Sequence, residues 1–166
     1  PAGLQRITAA LSALSCPQNK FEAIHIAGTN GKGSVSAMLA KIFETAGFKT
    51  GLYISPYIID FRERIQINGN FISEDNLVKY SQRVKNTGVV LSEFEFITAA
   101  AFSYFAAEKC DIVIAETGLG GRLDAEDNSL LTFASAPSAF LYQALFCMFS
   151  VAVRYYGMRK TKGNTL

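Results

Sequence analysis

Ten residues, His25 to Ser34, constrain this chain more than any other stretch. They read His-Ile-Ala-Gly-Thr-Asn-Gly-Lys-Gly-Ser. The apolar run from Ala23 to Ala27 has the character of a buried strand. It breaks into Gly28-Thr29-Asn30-Gly31-Lys32-Gly33-Ser34, after which Val35, Met38, Leu39, Ile42, Phe43 and Ala46 recur at helical spacing. Strand, glycine-rich turn and helix start in that order make a phosphate site. Glycines let backbone amides approach an anion, the helix dipole favours its charge, and a lysine adds a point charge. The usual P-loop ends Gly-Lys-Ser/Thr; here Gly33 stands between Lys32 and Ser34, so the string is a variant. Nucleotide phosphate binding is the favoured reading, and a merely tight strand-to-helix turn is the alternative.

The chain of 166 residues suits one domain with a fair core. Its net charge of +2 hides an asymmetry. Residues 1–127 carry 12 Lys/Arg and all 14 Asp/Glu, whereas residues 128–166 carry four basic residues and no acidic one. No basic stripe with interleaved aromatics appears, so nucleic acid is not an expected partner. Cys16, Cys110 and Cys147 are odd in number and unclustered, which argues against a disulfide framework and a zinc site and suits a reducing cytoplasm. The N-terminus lacks a signal-peptide pattern, and Pro1 in place of an initiator Met suggests a processed or incomplete chain.

Several further elements follow from spacing. Leu4, Ile7, Leu11 and Leu14 mark an amphipathic helix over 3–14. Gly47 stands where a helix ends, and 49–54 reads as a second buried strand ending in Ser55-Pro56. Strand, helix and strand imply a parallel sheet. Asn68-Gly69 between alternating apolar residues predicts a hairpin over 65–72 at the sheet's edge. Ser73 with Glu74 and Asp75 starts a helix running to about Lys85. A further helix over 93–109 shows Phe94, Ile97, Ala101, Phe102 and Phe105 on one face. Residues 112–115 read as a buried strand running into Glu116 and the loop Gly118 to Asp124.

In open α/β sheets ligands gather at the carboxyl ends of strands, where the glycine loop, Ser55 and Glu116 all fall. Magnesium on a nucleotide takes one or two side-chain oxygens beside phosphates and water, and Ser34, Ser55 and Glu116 are the candidates. For Ser55 a plain turn before Pro56 is the competing reading. For Glu116 a carboxylate directly after an apolar strand is costly unless paired, which favours a functional role.

The strings His25–Ser34, Gly51–Pro56, Asp60–Ile65 with Asn68-Gly69 and Ile72-Ser73, Phe94–Ala99 and Glu116–Ala125 occur in this order over about 100 residues. Together they resemble the folylpolyglutamate synthase/dihydrofolate synthase family of the Mur ligase superfamily. The resemblance implies a parallel-sheet, P-loop NTPase-like α/β fold, the Mur ligase central domain, here incomplete. It also implies an ATP-dependent ligase of folate biosynthesis and one-carbon metabolism. In that chemistry ATP phosphorylates a substrate carboxylate, and the amine of L-glutamate attacks the acyl phosphate to give an amide. Gly28, Thr29, Asn30, Gly31, Lys32, Gly33 and Ser34 would hold the ATP phosphates, with Lys32 on the β/γ oxygens. Lys32 and Glu116 would be catalytic, Ser55 and Glu116 would ligate Mg2+, and the loop with Pro56, Tyr57, Arg62 and Arg64 would line the pterin end of a folate or dihydropteroate site. For Arg62 and Arg64, solvated charge on a hairpin flank is the competing reading. The protein would be a cytoplasmic monomer.

The family usually has His after Ser-Pro, where Tyr57 stands, and Thr-Asn where Glu126-Asp127 stands. Beyond Asp127 no family string matches. The expected organisation is therefore a partial ATP-binding domain over 1–127 and an unmatched tail over 128–166, in a truncated and poorly active N-terminal fragment. A non-catalytic nucleotide-binding remnant and a ligase acting on a peptidoglycan precursor are the alternative functions. Residues 128–153 carry no charge and are followed by Arg154, Arg159, Lys160 and Lys162. That stretch reads as a frame-shifted tail, a buried helix or a membrane anchor.

Overall fold

The computed structural model describes residues 4–28, 30–116 and, as backbone, 131–135. Thr29, the loop Gly118 to Asp124 and the rest of the 128–166 tail, including most of its apolar run, lie outside the described residues. The chain runs α1 (Gln5–Ala13), β1 (Glu22–Gly28), α2 (Lys32–Thr45), β2 (Thr50–Tyr53), β3 (Ile65–Ile67), β4 (Asn70–Phe71), α3 (Glu74–Lys85), α4 (Glu93–Ala107), β5 (Ile112–Glu116) and β6 (Leu131–Ser135). Short 3-10 turns occupy Pro17–Lys20 and Phe61–Arg64.

Six strands form one sheet in the order β4-β3-β2-β5-β1-β6. β2, β5, β1 and β6 are parallel neighbours. β3 joins β2 antiparallel and β4 closes the hairpin. The sheet is thus mixed: the parallel expectation holds for its four-strand core, and the Asn68-Gly69 hairpin extends one edge. β6 arises in the stretch read from sequence as unmatched tail, where it pairs with β1 from Ile24↔Leu131 to Gly28↔Ser135.

Two apolar layers clothe the sheet. On one side α2 sets Val35, Leu39 and Phe43 on Ile24, Ile26, Leu52, Ile112 and Ile114. On the other, α1, α3 and α4 enclose a larger core containing Ile7, Leu11, Tyr53, Tyr80, Val84, Ile97, Phe102, Phe105 and Val113. The single apolar face expected for α4 is a correction. Every residue from Ile97 to Phe105 is buried, because α1, α3 and the sheet surround the helix; Phe94 is only half-buried. Met38 keeps the helical spacing read from sequence and is 53% exposed, while Ser36 is buried. α4 comes close to β2 at Gly51, where an added Cβ would stand 3.0 Å from Phe105 Cδ1 and from Val113 Cγ2. Among the described residues no helix is long and apolar enough to cross a membrane.

Candidate active site

The parallel register sets the site. Ala115 of β5 is level with His25 of β1 and with Tyr53 of β2, so Glu116 ends the central strand just below two flanking chain exits. On one side β1 ends at Gly28 and leads into Asn30, Gly31 and α2. On the other, β2 leads through Ile54 to Ser55 and a cis peptide bond to Pro56. Tyr53, fully buried, anchors that exit by a 3.0 Å hydrogen bond between its hydroxyl and that of Thr98 on α4.

Gly31 is the residue the loop most needs. Its φ of +77° is left-handed, which costs a residue with a Cβ about 1–2 kcal/mol. It is the N-cap of α2, has no side chain to cap the helix, and is followed by a first turn without an acidic residue. Lys32 opens the helix, and Ser34 is exposed in its first turn.

Glu116 is 5% exposed and joins the two exits. Its Oε2 accepts the Ser55 N–H at 3.2 Å, and a Cβ on Gly33 would lie 3.6 Å from the same oxygen. Burial pushes its carboxyl above the ordinary value, against the lowering effects of the Ser55 amide and the nearby Lys32 charge. A buried carboxylate beside a serine is an oxygen donor set that suits magnesium. Among the described residues no three or more His, Cys, Asp or Glu gather to hold a metal.

The 56–64 loop is built differently. Tyr57 packs edge-on to Phe61 with ring centres 5.6 Å apart. The Arg64 guanidinium lies 5.4 Å from the Tyr57 ring centre and 5.3 Å from that of Phe61. Arg62 spends its fork on Asp60, with contacts from 2.6 to 3.1 Å, and lies 3.6 Å from Glu74. That Asp60 hydrogen bond raises the Arg62 pKa and lowers that of Asp60. Gly33, Ser55 and Glu116 come together with Lys32 nearby, while Tyr57 and Arg64, expected from the resemblance to line a separate loop, form an aromatic–cation stack with Phe61. Asp60 and Glu63 are missing from the sequence-derived site. The Asp-x-x-Glu capping pattern was the available signal.

A glycine loop at a helix start, next to a buried carboxylate at the carboxyl edge of the parallel strands, places this chain among the open-sheet α/β domains, whose ligands gather at that edge. No protein-family model matches the chain. It is 44% identical over 131 residues to the dihydrofolate synthase/folylpolyglutamate synthase of Bacillus subtilis, covering 74% of this chain and 30% of that protein. It superposes on Mycobacterium tuberculosis folylpolyglutamate synthase, complexed with ADP and AMPPCP, with a TM-score of 0.76 at 34% identity over 80% of this chain and 33% of that one. A folylpolyglutamate synthase–AMPPCP–folate complex matches at TM-score 0.78 and 34% identity, over 81% of this chain and 35% of that one. The chain belongs to the dihydrofolate synthase/folylpolyglutamate synthase family, and it spans about a third of the length of these relatives.

Proposed function

We propose that this chain supplies the ATP-phosphate end of a ligase that joins L-glutamate to a folate, to dihydropteroate, or to both. In this reading the γ-phosphoryl group passes to a substrate carboxylate oxygen and ADP leaves. The glutamate amine then attacks the acyl carbon, forming the amide and expelling phosphate. The observation that carries the reading is the meeting of Gly33 and Ser55 at Glu116, with Lys32 close enough to act on its charge. The relatives' ADP, AMPPCP and folate complexes support it.

Each residue has a task in this scheme. The amides from Gly28 to Ser34 and the α2 dipole cradle the phosphates, and Lys32 neutralises charge building on the β/γ oxygens. Ser55 and Glu116 would hold Mg2+, which when bound offsets phosphate charge. Pro56, Tyr57 and Arg64 form the wall for the pterin end, and Arg62, committed to Asp60, braces that wall. The buried Cys110 thiol, pushed up to about 12 by burial, stays protonated and takes no part; free thiols suit a cytoplasmic setting. Residues 1–127 would form the ATP-binding part.

Calorimetry with Mg-ATP on the chain and on Lys32→Ala tests this. Binding by the parent, weakened by roughly 100-fold in a variant that melts at the same temperature, is expected. Equal binding by both would remove the loop from the phosphate site. A folded parent that binds no nucleotide would overturn the reading altogether.

A further inference from the structure

We propose that Glu63 is the positioning residue of the substrate loop, its carboxylate gathering the amides of Ile58, Ile59 and Asp60 so that Tyr57 and Arg64 face a flat ring. The inference rests on the reading above that this loop lines the pterin end of the site. The three N–H groups donate to Glu63 at 2.8, 3.1 and 2.9 Å, so both carboxylate oxygens are engaged by consecutive residues of one segment. Packing cannot hold that segment, because Ile58 and Ile59 are each 88% exposed. Among the described residues no carboxylate pairs with Arg64: its Nε is buried without a hydrogen-bond partner there, and its guanidinium lies over the Tyr57 and Phe61 rings. The Tyr57 end of the stack therefore depends on the path of residues 56–60, and that path depends on one side chain. Ionisation of Glu63 suits the task, since the amides of Ile58 and Asp60 hold its carboxyl below the ordinary value.

A purely local role is the competing explanation, because Glu63 and Asp60 also form a capping box on the Phe61–Arg64 turn. Asp60→Ala removes the aspartate side of that box and leaves the Ile58 and Ile59 bonds in place. The test measures affinity for dihydropteroate and, separately, for Mg-ADP in the 166-residue chain, its Glu63→Ala and Glu63→Gln variants, and Asp60→Ala. Amide exchange at Ile58 and Ile59 is followed alongside.

Glu63→Ala is expected to weaken dihydropteroate about tenfold, leave Mg-ADP within about twofold and speed exchange at both amides. Glu63→Gln, which keeps one acceptor oxygen, falls between, and serves if the alanine variant does not fold. Asp60→Ala, which also releases Arg62 from its ion pair, is expected to lose less affinity than Glu63→Ala and to keep the parent's exchange at Ile58 and Ile59. Unchanged dihydropteroate affinity in Glu63→Ala, or an equal loss in Asp60→Ala, overturns the proposal. A parent that binds Mg-ADP but no dihydropteroate overturns the folate reading. Exchange then decides Glu63's hold on the loop: faster exchange in Glu63→Ala sustains it, and unchanged exchange ends it.

Discussion

Two helix starts in this molecule solve the same problem in opposite ways. The first amides of any α-helix lack intrahelical partners. At α4 the chain supplies them: the Ser92 hydroxyl accepts the Glu95 N–H, and the Glu95 carboxylate accepts the Ser92 N–H at 2.7 Å and its hydroxyl at 2.8 Å. Arg6 completes the arrangement at 3.0 Å. At α2 the N-cap is a bare glycine, and the nearby carboxylate, Glu116, comes from another strand and accepts the Ser55 amide. Both glutamates are buried, yet their carboxyls move in opposite directions. Burial pushes Glu95 up, but the Ser92 hydrogen bonds and Arg6 outweigh it and hold it low. For Glu116 burial wins and the carboxyl is raised. The α4 start is capped by its own side chains, whereas the α2 start has no side-chain cap and lies beside a carboxylate supplied by β5.

The contrast breaks most visibly at Glu116. Glu116→Gln should weaken Mg-dependent nucleotide binding by roughly 100-fold while stabilising the unliganded protein near neutral pH. With its folded pKa raised, the native state keeps a proton that the unfolded chain has lost, so stability falls as pH rises through that window. Melting curves should show the parent dropping below Glu116→Gln as pH climbs above the ordinary carboxylate range, and the two converging near about pH 4. A constant gap across pH would put the cost elsewhere.

Gly31→Ala comes next, with an expected loss of about 1–2 kcal/mol in denaturant titrations from the left-handed backbone, together with loss of nucleotide affinity. Full affinity would mean that the loop tolerates a different shape. Ser92→Ala should cost about 1 kcal/mol and leave nucleotide binding untouched. Because the Glu95 pKa is lowered, its stabilisation is present above the ordinary carboxylate pKa. It fades as pH falls through the depressed value, so the difference between Ser92→Ala and the parent should shrink in acid. An effect of Ser92→Ala on nucleotide affinity would blur the distinction between the two helix starts. Smallest is Ser36→Ala in α2. The Ser36 hydroxyl is fully buried and has no hydrogen-bond partner among the described residues, so its removal should raise stability by up to about 1 kcal/mol, read from chemical denaturation.

Much of the chain could be read without coordinates where neighbours in sequence decide the outcome. The strand into Gly28, the α2 helix after it, the Asn68-Gly69 hairpin and the Ser73 start of α3 depend on backbone preferences and hydrogen bonds spanning a few residues. The extent of burial along α4 and at Met38 was not legible in this way. Apolar spacing reports which face could be buried, but how much is buried depends on how many elements converge there.

For the site, residue types alone nominated Lys32, Ser55 and Glu116, because a glycine loop, a serine turn and a carboxylate each follow an apolar strand. What brings them together is the insertion of β5 between β1 and β2, a pairing across some 60 or more residues that no local pattern encodes. The same holds for Arg62 and Arg64. Two residues apart in one string, they look alike in sequence. Only the folded loop turns one onto Asp60 and the other onto two aromatic rings, since side-chain partners are chosen by packing in three dimensions.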